Sequence, residues 1–106
     1  MTLLHVTDAE GWAAIQRGPV EPDGFWHLCT EAQLPFVLDR HFPDRRGLLV
    51  LHLDPAKLGE VRWEESEPGM EPFPHLYGPL AAVAVTAVLQ APAQSSKGGA
   101  DRSTPS

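Results

Sequence analysis

The chain has 106 residues, 14 of them acidic and 8 basic, giving a formal net charge of −6 and a single cysteine, Cys29. That length suits one domain with one hydrophobic core, and the acidic balance, with no basic block or aromatic-interleaved basic face, disfavours tight nucleic-acid binding while leaving room for a small anionic ligand. One cysteine excludes an internal disulfide and a multi-cysteine zinc site; no window approaches the run of about 18 apolar residues of a membrane span, and Met1-Thr2-Leu3-Leu4-His5-Val6 lacks the basic and apolar regions of a secretory signal, so the expectation is a soluble, cytoplasmic protein with no membrane contact.

Leu3, Leu4 and Val6 form a short apolar run, with His5 inside it, that predicts a first strand. Thr7 or Asp8 can cap the helix that follows, whose apolar pattern through Trp12, Ala13 and Ile15 spans about Ala9 to Arg17 before Gly18-Pro19 ends it. After the turn Pro22-Asp23-Gly24, Phe25-Trp26-His27-Leu28-Cys29 reads as a strand or extended segment. Thr30 and Gln33 have capping-box spacing, which starts a second helix at Thr30 and carries it to His41 or Phe42, Pro35 being tolerable near the first turn.

Leu48 to Leu53 is the strongest strand in the chain, and its near-continuous apolar run implies a central strand covered on both faces. Val61-Arg62-Trp63-Glu64 alternates as a strand, Glu65 to Pro72 reads as an acidic exposed loop, and the β-branched residues of Leu80 to Gln90 favour a last strand although its alanines keep a helix open. From Pro92 onward there is no large apolar residue, so a globular domain over 1–91 and a disordered tail over 92–106 are expected. Helices early and consecutive strands late give an α+β class with a mixed, largely antiparallel sheet.

Glu71-Pro-Phe-Pro-His-Leu-Tyr-Gly-Pro-Leu80 is a stiff mount for His75 and Tyr77. With His5 and His27 it makes three imidazoles in otherwise apolar segments, each needing a partner once desolvated. Each is followed by a hydroxyl or thiol: Thr7 after His5, Cys29 and Thr30 after His27, Tyr77 after His75. Since residues i and i+2 share a face of a strand, these groups could converge on one cleft. The alternative is a set of separately satisfied, half-buried histidines and a proline-rich corner that ends a sheet.

Cys29, placed just before a helix, could be a nucleophile if its thiolate were stabilised, or an inert buried thiol. The three histidines have the ligand count of a catalytic zinc but no local helical spacing, and no metal is assigned. His41 reads as a surface cation at a helix end and His52 as structural. Glu64 is either a solvated carboxylate or an acid, base or electrostatic stabiliser of positive charge.

In order, LLHVTDAEGW, GFWHLCTEAQL, LLVLHLDPAKL, VRWEE and FPHLYGPL resemble the small bacterial family named domain of unknown function 952, over about residues 3 to 89. GFWHLCT and FPHLYGPL are the specific parts, and Cys29 stands where the family pattern more often has serine. The resemblance implies an ADP-ribosyltransferase-like fold, with a split sheet, two helices and a cleft for nicotinamide adenine dinucleotide. It implies that His5, on the first strand, would contact the adenosine ribose; no established catalytic glutamate is evident, and Glu64 is a guess for that role.

The reading is therefore a His-lined cleft for a nucleotide or NAD-like dinucleotide, with glycosyl or ADP-ribosyl transfer or hydrolysis as the candidate chemistry, in which His27, His75 and Glu64 would be catalytic. His5, Thr7, Cys29, Thr30 and Tyr77 would bind the ligand. The alternative is a non-catalytic binding or interaction module that keeps only the fold.

Overall fold

A computed structural model describes residues 1–92; the tail expected from Pro92 onward otherwise lies outside the described residues. The described residues form an α+β fold with two α-helices and two three-stranded sheets. In order these are β1 (Leu3–Asp8), α1 (Ala9–Gln16), β2 (Trp26–His27), α2 (Leu34–His41), β3 (Leu48–Leu53), β4 (Val61–Glu64), β5 (Phe73–Leu76) and β6 (Val85–Gln90). One sheet has the order β1-β3-β6 and the other β2-β5-β4. Every strand pairing is antiparallel, so the parallel component of the expected mixed sheet is not found among the described residues.

The apolar run at Leu48–Leu53 is the centre of the first sheet and is covered on both faces. Leu51 and Leu53 join Leu3, Ile15, Leu28, Leu76 and Leu80 in one cluster. Leu48 and Val50 join Leu4, Val6, Cys29 and Leu38 in the other. The alternation of strand side chains sends neighbouring residues of β1 and β3 into opposite layers, with α1 and the second sheet on one side and α2 on the other.

Three local outcomes differ from the sequence reading. Thr30 and Gln33 do form the reciprocal cap, Thr30 N donating to Gln33 Oε1 at 3.0 Å and Gln33 N to Thr30 Oγ1 at 3.2 Å. The α-helix itself begins only at Leu34, because residues 31–33 form a turn. The second strand shrinks to Trp26–His27, and the chain then switches sheets: Leu28 N donates to Pro74 O at 3.0 Å, while Cys29 exchanges backbone bonds of 2.9 and 2.8 Å with Leu4. Finally, the proline-rich segment supplies β5, the central strand of the second sheet, with Pro74 opposite Trp63. Proline is normally confined to edges because it donates nothing to a ladder.

The last segment combines both readings left open for it. A 3-10 turn at Ala82–Ala84 leads into β6, whose register with β3 shifts between His52 and Leu53. Among the described residues no helix is long and apolar enough to cross a membrane.

Candidate functional site

The switch of the chain from β5 at Leu28 to β1 at Cys29 leaves a cleft of about 480 Å³ between the sheets and α2. The imidazoles of His5, His27 and His75 all line it. They come from β1, β2 and β5, and His27 lies directly opposite His75 in the β2–β5 register. Their ring centroids are 5.6 Å apart, edge to face. Phe25 stacks on His75 at 4.1 Å and tilts against His27 at 4.8 Å, so one phenyl ring sets the angle of two imidazoles.

Hydrogen bonds locate the protons on two of these rings. His5 Nδ1 is 2.9 Å from the carbonyl oxygen of His27, which only accepts, so Nδ1 carries the hydrogen. Burial, and to a lesser degree His27, holds the His5 pKa below its ordinary 6.5 despite that bond, which leaves a neutral ring with Nε2 as its acceptor. His75 is buried, at 4% exposure, and its Nδ1 lies 2.8 Å from Glu64 Oε1. The same oxygen accepts from Tyr77 Oη at 2.5 Å. These bonds, Tyr77's first, hold Glu64 below its ordinary carboxylate value and so ionised, while the Tyr77 phenol is pushed up by its bond to Glu64. His75 therefore donates through Nδ1 and has Nε2 left for the cleft.

His27 differs from both. It is exposed, and neither ring nitrogen has a hydrogen-bond partner among the described residues. Its pKa is lowered, first by partial desolvation and then by the charges of His75 and His41.

Cys29 lines the cleft with 2% exposure, and burial pushes its thiol up to about 11. The expected lowering by a helix start is absent, because three turn residues separate Cys29 and Thr30 from α2. The thiol is protonated at neutral pH, without the stabilised thiolate that a nucleophilic role requires.

The remaining candidates stand outside the cleft lining. Thr7 Oγ1 sits against α1, where a Cβ on Gly11 would overlap it. Thr30 spends its hydroxyl on the Gln33 cap. Glu64 bonds to His75 behind the cleft and Tyr77 bonds to Glu64, while Arg62 lies over the Tyr77 ring at 4.6 Å. Among the described residues no group of three or more His, Cys, Asp or Glu side chains is placed to hold a metal ion.

The sequence reading missed one whole wall. Phe36, Val37, Arg40, His41 and Phe42 of α2 and its end line the cleft, faced by Met70 and Phe73. The i, i+4 pair Phe36 and Arg40 was the available signal, since those positions share a helix face; the guanidinium lies 5.9 Å from the Phe36 ring. Gln33 was also missed: only 5% exposed, it donates through Nε2 to Pro72 O at 2.9 Å and ties the acidic loop to the start of α2.

Solved structures with this architecture exist. The crystal structure of protein CC0527 from Caulobacter crescentus is 28% identical, with a TM-score of 0.73 and 85% of each chain covered. The solution structure of CC0527 gives 28% identity and a TM-score of 0.70 over 84% of this chain and 83% of that one. No curated protein matches the chain. The family described as protein of unknown function (DUF952) matches residues 4–88, a span that contains all three cleft histidines, Glu64 and the α2 wall. On that match the chain belongs to the DUF952 family.

Proposed function

We propose that the cleft binds a nucleotide-type small molecule, with an NAD-like dinucleotide as the candidate ligand. The observation that carries this reading is the convergence of three imidazoles from three separate strands on one cleft whose other wall is aromatic and aliphatic. Its volume of about 480 Å³ lies within the range of about 300–1,000 Å³ of small-molecule sites. An apolar wall of Phe36, Val37, Phe42 and Phe73 suits the flat face of a base. The Nε2 atom of the neutral His5 ring is an acceptor for a sugar hydroxyl.

If the domain is a catalyst of glycosyl or ADP-ribosyl-type transfer or hydrolysis, His75 is the group suited to move a proton. The ring lines the cleft with Nε2 not engaged by Glu64, and the Glu64 carboxylate on Nδ1 stabilises the imidazolium that proton uptake creates. In this arrangement Glu64 acts through His75, and Tyr77 holds Glu64 in place. A non-catalytic binding module is the second reading, favoured by the engagement of Glu64 Oε1 by two internal donors and by the protonated Cys29 thiol.

Calorimetric titration of the full chain with NAD and with ADP-ribose, beside the His27→Ala variant, tests binding. Saturable heat in the wild type that weakens in the variant is expected; no heat from either compound, or identical isotherms, would remove the nucleotide reading. Proton NMR of NAD incubated with the protein then separates the two alternatives, because release of nicotinamide marks a catalyst and an unchanged spectrum marks a binding module.

A further inference from the structure

We infer that the corner of the cleft where the end of α2 faces β2 is an oxyanion subsite, a seat for a phosphate group built from His27, His41 and Arg40, and that it fills together with a proton. The inference rests on the nucleotide-type reading of the cleft and adds where its phosphate lies and what accompanies it.

The three groups arrive from two elements and line the same cleft. His27 presents a ring with no hydrogen-bond partner among the described residues, and His41 is exposed on the opposite wall, in the last turn of α2. A helix end favours a cation there through the partial negative charge of its free carbonyls. Arg40 is the permanent charge of the group. It is half exposed and meets Glu67 at 3.7 Å, a loose contact between two solvated side chains that an incoming anion can exchange.

The charged and titratable groups around His27 are mostly potential cations, with Glu67 the opposing carboxylate and Cys29 a buried thiol on the same lining. His75 faces it from β5, with Glu64 on the far nitrogen of that ring. His5, from β1, is tied to the His27 carbonyl oxygen. His41 acts on it from the end of α2 and Arg40 lines the same cleft one residue earlier, while Glu67, in the loop after β4, is the one carboxylate on the lining among the described residues. The corner is therefore a concentration of potential positive charge in a protein whose net charge is −6. The His27 pKa is lowered first because its ring is partly desolvated and then because His75 and His41 repel added positive charge. A phosphate reverses the sign: it attracts the proton that His27 otherwise refuses and accepts N–H bonds from His27, His41 and Arg40. Binding and proton uptake are then linked, and affinity rises as pH falls.

The experiment is calorimetric titration of the full chain with inorganic pyrophosphate, and in parallel with ADP-ribose, at about pH 6 and about pH 8, in buffers of different ionisation enthalpy. The expected result is binding at the lower pH, with buffer-dependent heat equivalent to uptake of up to about one proton, and an affinity lower by about tenfold at the higher pH. His27→Gln should weaken binding by about tenfold and reduce the proton uptake, whereas His41→Gln and Arg40→Gln should each weaken binding by about tenfold. Far-UV circular dichroism checks that these exposed substitutions leave the fold intact. No heat from pyrophosphate, pH-independent affinity without proton uptake, or wild-type binding by the two histidine variants would each overturn the inference. If ADP-ribose binds in any of these cases, the nucleotide reading survives without the subsite; if neither compound binds, both fall.

Discussion

Glu64 Oε1 lies 2.8 Å from His75 Nδ1 and takes a second hydrogen bond, from Tyr77, on the same oxygen. One carboxylate thus fixes the tautomer of a buried imidazole on the neighbouring strand, since an ionised acceptor leaves Nδ1 no role but donor. Glu64→Ala strands that N–H in a ring only 4% exposed, and a buried donor left without a partner costs about 1–3 kcal/mol. The expected outcome is a lower urea midpoint for Glu64→Ala and a smaller drop for Tyr77→Phe, which keeps the His75–Glu64 bond. Long-range nitrogen–proton NMR of the wild type should place the His75 hydrogen on Nδ1; a ring protonated on Nε2 instead would contradict the arrangement.

Stability should fall on acidification beginning below about pH 6.5. His5 and His27 have folded pKa values lowered from 6.5, by burial first, so the unfolded chain binds protons there that the folded chain refuses. The unfolded state then gains as pH falls through that window. Glu64, lowered from 4.5 by its bonds from Tyr77 and His75, contributes a further loss of the same sign at more acid pH. At the alkaline end Cys29 and Tyr77, both raised, withdraw stability as pH climbs past their ordinary values of 9.0 and 10.0. Urea midpoints measured across this range should form a plateau between about pH 7 and 9. A midpoint that rises from pH 7 to pH 5 would mean that the fold favours the protonated form of the two imidazoles.

Most strands and both helices were legible because each rests on a local rule, and the same rule of alternation raised the convergence of the three imidazoles as one of two readings. Polar residues inside short apolar runs had to face something other than the core, and the capping-box spacing of Thr30 and Gln33 is met by the bonds that spacing implies. What escaped is long-range. Pro72, Pro74 and Pro79 disguised β5 as a corner, because nothing local says that a strand with a missing donor will be flanked on both sides. The α2 wall escaped because a helix whose apolar and charged residues both approach a cleft has the pattern of an ordinary surface helix. Thr7 was assigned by strand alternation to the face of His5, and the decisive fact lay in the next element: Gly11 leaves a space that the Thr7 hydroxyl occupies.

Cys29 should be unreactive in the folded protein. Its 2% exposure and a pKa of about 11 leave almost no accessible thiolate near pH 8. Iodoacetamide labelling followed by mass spectrometry should show alkylation only at the rate of chain opening, with prompt reaction in concentrated urea. Rapid labelling of the native protein would show that the segment joining the two sheets opens easily. In that case the backbone pair Leu4–Cys29, with bonds of 2.8 and 2.9 Å, would not be the firm junction it is here.

Gly11 stands in the first turn of α1, where its N–H donates to the Asp8 cap at 2.8 Å. Glycine inside a helix ordinarily costs about 0.5–1 kcal/mol relative to alanine, so Gly11→Ala would stabilise an average helix by that amount. Here the sign should reverse, because the added Cβ would overlap Thr7 Oγ1, and Thr7 Cβ stands 3.4 Å behind it. Relief requires the Thr7 side chain to leave its rotamer or α1 to move off β1, and overpacking of this kind costs about 1–3 kcal/mol. In the double variant Thr7→Ala/Gly11→Ala the obstructing hydroxyl is gone, so the alanine at position 11 should regain its ordinary helical benefit against the Thr7→Ala background. Thermal or urea unfolding of the four proteins in this cycle measures the coupling directly. Additive effects would place the Thr7 hydroxyl away from α1 and return Thr7 to the set of groups free to face a ligand.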